Sequence, residues 1–133
     1  DFVEKGQASL LRDNFPDGTK IPLWRVIEYA ISQSDGTASD VLMNLAGGAG
    51  EVQKYIDELG IKDMAVKSTE KELAKDPKVQ YENFATPNAA VGLLTELKSG
   101  NSLERERRKL IMDFMNESVP AQDRLRGQTE TML

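Results

Sequence analysis

Two short stretches carry side chains able to move protons. Ser34 and Asp35 lie in Ser32-Gln33-Ser34-Asp35-Gly36-Thr37-Ala38-Ser39-Asp40, and two carboxylates lie in Thr69-Glu70-Lys71-Glu72-Leu73. A hydroxyl and a carboxylate facing one another can pass a proton or activate a water. The chain has no His and no Cys, which removes Ser-His-Asp triads, cysteine nucleophiles and thiolate or imidazole metal sites. Proton transfer must therefore use carboxylate, lysine or hydroxyl groups. Each stretch also has a plainer reading. Ser or Asp between two helices commonly caps the second, and a Glu in a long loop is commonly a solvated charge.

The elements that would position these groups are helices. Leu23, Val26, Ile27, Ala30 and Ile31 recur at helical spacing behind Pro22, which suits a first turn. Trp24 and Tyr29 on the same helix read as packing residues. A second helix fits Thr37 to Ala46, with Ala38, Val41, Leu42, Leu45 and Ala46 inward and Gly47-Gly48 as its stop. A third runs from about Ala49 to Leu59 with Val52, Tyr55, Ile56 and Leu59 inward. Thr86-Pro87 opens a fourth, with Ala90, Leu93, Leu94 and Leu97 as its stripe and Ser99-Gly100 as its end. A fifth covers about Leu103 to Glu117 and buries Leu110, Ile111, Phe114 and Met115. Asn14 to Lys20 is a turn-rich approach to the first helix.

Between Ile61 and Ala85 the periodicity fails. Met64-Ala65-Val66 reads as one brief extended segment and Asp76-Pro77 as a turn. Loops this long are commonly functional, and Val79, Tyr81 and Phe84 are expected to anchor this one as an ordered Ω-type loop. Ala46-Gly47-Gly48-Ala49-Gly50 follows a helix and lacks a Gly-Lys-Ser/Thr, so it reads as a turn and not a phosphate cradle. Arg105-Glu106-Arg107-Arg108-Lys109 reads as a charge-laced helix face. The expected architecture is one all-α domain over residues 1–133, about five to six helices with an Ω-like loop at 61–85.

The bulk numbers fit a folded domain. The 133 residues are 39% hydrophobic and 29% charged, enough for one packed core. The net charge of −5 repels phosphate backbones, which argues against a nucleic-acid partner. No apolar run approaches the ~20 residues a bilayer span requires. Asp1-Phe2-Val3-Glu4-Lys5 does not read as a secretory signal, and the start is read as a cut into a longer chain or a mature end.

Six segments, in order, share one family's pattern: Gln33 to Ala38, Leu45-Ala46-Gly47-Gly48, Tyr55 to Ile61, Glu70-Lys71-Glu72-Leu73, Tyr81 to Pro87, and Asp123-Arg124-Leu125-Arg126-Gly127. Together they resemble the helical lobe of class A serine β-lactamases. The first segment is similar to the Ser-Asp-Asn loop, the fourth to the Ω-loop signature Glu-Pro-Glu-Leu-Asn, and the last to the segment before the Lys-Thr-Gly strand. Residues 1 to 20 match less clearly, and Gln128 to Leu133 does not match.

The resemblance implies roles. Ser34 would relay a proton to the departing lactam nitrogen, Asp35 would hold its loop through backbone hydrogen bonds, and Glu70 would activate the water that hydrolyses an acyl-serine. Gly36 and Ala74 stand where the family's two motifs have Asn. The nucleophile pair, Ser-x-x-Lys, and the Lys-Thr-Gly or Lys-Ser-Gly strand are expected to be missing from the chain. The resemblance thus implies β-lactam hydrolysis in a two-lobe parent and no turnover by this chain alone. It implies no cofactor or metal, a missing α/β lobe as partner, possible self-association through the face that lobe would cover, and a periplasmic or secreted setting. The alternatives are a D-Ala-D-Ala peptidase or glutaminase relative, and a degenerate non-catalytic helical module.

Overall fold

The computed structural model describes residues 8–118. The order is α1 (Leu10–Asn14), α2 (Leu23–Ser32), α3 (Gly36–Leu45), α4 (Ala49–Glu58), β1 (Met64–Ala65), α5 (Glu70–Lys75), a 3₁₀ turn (Pro77–Glu82), β2 (Phe84–Ala85), α6 (Pro87–Ser99) and α7 (Arg105–Asn116). The architecture is all-α. The five expected helices are present with ends shifted by a few residues, and α1 and α5 are additional. Both additions are five or six residues long, too short to show a helical stripe in the sequence. The segments Asp1 to Lys5 and Asp123 to Leu133 lie outside the described residues.

The centre is a cluster of Val26 and Tyr29 from α2 with Ala38 from α3, the last fully buried. Leu11, Ile21, Ala30, Val41 and Leu42 close around it. Phe114 of α7 is buried, and Ser32 of α2 donates to its carbonyl at 2.9 Å, tying the two helices. Tyr29 keeps its hydroxyl satisfied by accepting from the Asn14 amide at 3.0 Å.

Several expected core positions are not covered. Leu23, Trp24, Leu45, Ala46, Tyr55, Leu94, Leu110 and Met115 are exposed, Leu45 by 66%, and on α6 Ala89 is buried in place of its neighbour Ala90. These helices are amphipathic on wider faces than the described elements cover, so only the stripe around α2 and α3 closes into a core.

The link between α3 and α4 uses glycine where geometry demands it. Gly47 and Gly48 both have φ near +98°, and Gly48 donates to the Met43 carbonyl at 2.9 Å, closing the end of α3. Among the described residues no helix is long and apolar enough to cross a membrane.

Candidate active site

The chain between α2 and α3 turns at Ser34, which has φ +54°, a left-handed conformation that a non-glycine residue adopts only when its surroundings hold it there. What holds it is Asp35. Its carboxylate is buried and caps α3 by accepting from the Ala38 N–H at 2.9 Å. It also accepts from the Ser9 hydroxyl at 3.0 Å and the Leu11 N–H at 2.9 Å. Ser9 in turn caps α1 by accepting from Arg12 N–H at 3.1 Å. One carboxylate therefore fastens the heads of α1 and α3 on either side of Ser34, whose side chain is left exposed.

Glu70 is the first residue of α5. Thr69 is the N-cap, and it forms a reciprocal capping box with Glu72. The Thr69 N–H at 2.8 Å and its hydroxyl at 2.9 Å both donate to Glu72, which holds that carboxyl below the ordinary glutamate range. The helix is placed by Asp40 of α3, whose buried carboxylate accepts from the N–H groups of Glu70 and Lys71, both at 2.8 Å. Two exposed amides at a helix start meet a carboxylate there, which satisfies them and complements the helix dipole.

The rest of the excursion is fixed by amide side chains. Asn83 accepts from the Lys67 N–H at 2.7 Å and the Ser68 N–H at 3.0 Å, and donates to the Ser68 carbonyl at 2.8 Å. Gln53 of α4 accepts from the Val66 N–H at 2.8 Å and donates to the Met64 carbonyl at 3.2 Å. Strands β1 and β2 pair antiparallel, Met64 opposite Ala85 and Ala65 opposite Phe84. The expected apolar anchoring is corrected: Tyr81 is 80% exposed and Phe84 54% exposed, with only Val79 half-buried. Side-chain bonds to backbone do that work instead.

These constraints produce one open cavity of about 490 Å³. Ser34, Asp35, Gly36 and Ser39 line one wall, and Glu70, Leu73 and Ala74 line the other. All five sequence-derived site residues, Ser34, Asp35, Gly36, Glu70 and Ala74, meet there. A hydroxyl and a carboxylate lining one open cavity can pass protons between a bound molecule and solvent. Gly36 and Ala74 contribute no polar side chain to it. Among the described residues no cluster of acidic side chains is arranged to hold a metal ion.

Sequence reasoning assigned no role to Ser9, Ser39, Asp40, Gln53 or Asn83. Asp40 did leave a signal: a carboxylate set directly against Val41 and Leu42 on an amphipathic helix needs a buried partner. The expectation that the chain lacks both strings is corrected by the sequence: Lys98-Ser99-Gly100 has the Lys-Ser-Gly order, at the end of helix α6 and not on a strand, and Ser68-Thr69-Glu70-Lys71 has the Ser-x-x-Lys spacing. The second string is not a helical pair, because Ser68 precedes the cap of α5. Ser68 is also buried, with its hydroxyl 3.4 Å from the Glu82 carboxylate, and it does not line the cavity.

With this geometry in view, the comparisons agree with one another. A family model described as "Beta-lactamase enzyme family" matches residues 2–132. The chain is 32% identical to beta-lactamase VEB-1 of Pseudomonas aeruginosa across 90% of its own length. It is 31% identical to the extended-spectrum beta-lactamase PER-1 of the same organism. Among solved structures, a beta-lactamase from Chitinophaga pinensis superposes with a TM-score of 0.91 at 36% identity, covering 95% of this chain and 47% of that one. A class A beta-lactamase from Bacteroides cellulosilyticus gives 0.89 at 30% identity. The chain spans 41% of the length of VEB-1 and 39% of PER-1, less than half of each. By sequence and by fold, it belongs to the beta-lactamase enzyme family, class A, of which it carries the helical lobe.

Proposed function

We propose that this chain supplies the helical half of a β-lactam hydrolase working through an acyl-serine, with Ser34 and Glu70 as its contributions to the chemistry. The observation that carries the reading is that Ser34 and Glu70 line the same cavity, each fixed by a buried aspartate. Glu70 then acts as general base: it takes a proton from water as that water's oxygen attacks the acyl carbon. Ser34 relays a proton to the lactam nitrogen as the ring opens. Asp35 holds the Ser34 turn. Gly36 leaves space where an amide side chain would contact the substrate, and Ala74 leaves the water one orienting group short. The segment 61–85 is the Ω loop of this unit, and 1–133 is one domain of a two-lobe assembly.

The nucleophile and the group that receives the substrate carboxylate come from the complementary α/β lobe. The exposed apolar residues Leu23, Trp24 and Leu94 suit a chain that docks against such a lobe or, without it, self-associates. A periplasmic or secreted setting follows from the reading, since β-lactams act outside the cytoplasm.

The test uses the full-length product of the encoding gene. It is expected to hydrolyse a chromogenic cephalosporin and to gain the mass of one opened lactam, whereas the isolated 133 residues do neither. A full-length product that forms no acyl-enzyme overturns the reading.

A further inference from the structure

Among the described residues, four polar side chains line the cavity: Ser34, Asp35, Ser39 and Glu70. Asp35 is fully engaged, holding Ser9, Leu11 and Ala38. Under the reading above, Ser34 serves the leaving nitrogen and Glu70 takes the proton from water. A water fixed for attack needs at least two polar partners, and Glu70 is only one. From α5 the residue one turn beyond Glu70 is Ala74, which offers a methyl group.

Ser39 is the remaining group. It lies one turn along α3 from Gly36, on the same face, and directly precedes the Asp40 that holds the start of α5. A helical hydroxyl with no other task commonly bonds back to the carbonyl four residues earlier. Thr95 and Ser99 of α6 do so, at 2.8 and 3.1 Å, and Ser32 of α2 reaches the Phe114 carbonyl. Ser39 is half-buried, and no such bond engages its hydroxyl among the described residues. A half-buried hydroxyl left open toward a cavity is a ready site for water.

We infer that Ser39 is the second anchor of the hydrolytic water, replacing from α3 the orienting group that Ala74 does not supply from α5. The inference rests on the proposed function. In the step concerned, the water oxygen bonds to the acyl carbon and its proton passes to Glu70. The ester C–O bond then breaks, and the departing serine oxygen takes up the proton that Glu70 received, which returns Glu70 to its carboxylate form. Ser39 holds the water through this step and exchanges no proton of its own.

The experiment measures acylation and deacylation separately in the full-length product, by single-turnover kinetics and intact mass. Ser39→Ala is expected to slow deacylation roughly three- to tenfold, the worth of one hydrogen bond, while acylation stays within about twofold. Ser39→Cys, which keeps the size but donates weakly, is expected to behave like Ser39→Ala. Adding Ala74→Asn to Ser39→Ala is expected to restore deacylation from the opposite wall. Deacylation unchanged in both single variants overturns the inference, as does an equal loss in the two steps. If the unaltered protein forms an acyl-enzyme and only these variants fail to respond, the proposed function survives; if it forms none, both fall.

Discussion

The α2–α3 core and the Ile61–Ala85 excursion are held by different forces. Around Val26, Tyr29 and Ala38 the stabilisation is burial of apolar surface, which is non-directional and shared among many contacts. Along the excursion, Asp40, Gln53 and Asn83 grip individual backbone amides and carbonyls, and its largest aromatic, Tyr81, faces solvent. The first arrangement fixes a fold, and many substitutions of similar volume suit it. The second fixes a position, and it depends on a few single side chains. The candidate base, Glu70, belongs to the second, while Ser34 sits on the border with the first.

The sharpest way to break this contrast is to damage each part and ask how far the damage spreads. Phe114→Ala is expected to cost about 3–4 kcal/mol and to lower the denaturation midpoint of the whole chain. Asp40→Ala is expected to cost about 1–3 kcal/mol, since it strands two amides. Its effect should be confined to fast amide exchange in α5 with α2 and α3 still protected. Uniform exchange after Asp40→Ala would mean that the two regions are one cooperative unit. Asn83→Ala is expected to release Lys67 and Ser68 in the same local way, by about 1–2 kcal/mol. Thr69→Ala removes a cap, about 1 kcal/mol, read as reduced protection at the start of α5.

The smallest effect is a titration. Because Thr69 stabilises the charged form of Glu72, the folded-state pKa lies below the unfolded one. The contribution is present above the unfolded value, near 4.3, and fades as pH falls through the folded one. An NMR titration of the Glu72 carboxyl should therefore show a depressed midpoint, and Thr69→Ala should relieve only part of the depression, because the Thr69 N–H, the larger cause, is kept.

The same contrast explains what could be read from the sequence. Val26, Ala38, Ile56 and Phe114 announced themselves by spacing, because helical burial repeats with the helix. Ser34 and Glu70 were legible through motif order, and the Thr86-Pro87 start of α6 through capping chemistry. Gln53 and Asn83 were not, since a side chain that bonds backbone 11 to 16 residues away leaves no period, and Asp40 left only its place beside Val41 and Leu42. Helix α5 was missed for a related reason: it is stabilised at its head, by Thr69 and Asp40, and has no apolar stripe. Leu23, Leu45 and Leu94 point the other way, because a stripe shows which face is apolar and not whether anything covers it.

The pairing of Met64 with Ala85 has a use in engineering. A segment cinched at its neck can be lengthened at its far end with little strain passed to the neck, and doubling a flexible loop costs only about 0.6 kcal/mol in closure entropy. The exposed 3₁₀ turn at Pro77–Glu82 is that far end. A short glycine-serine graft beside Lys78 should leave the amide spectrum of α3 and the start of α5 unchanged, making this turn a suitable handle for a reporter dye.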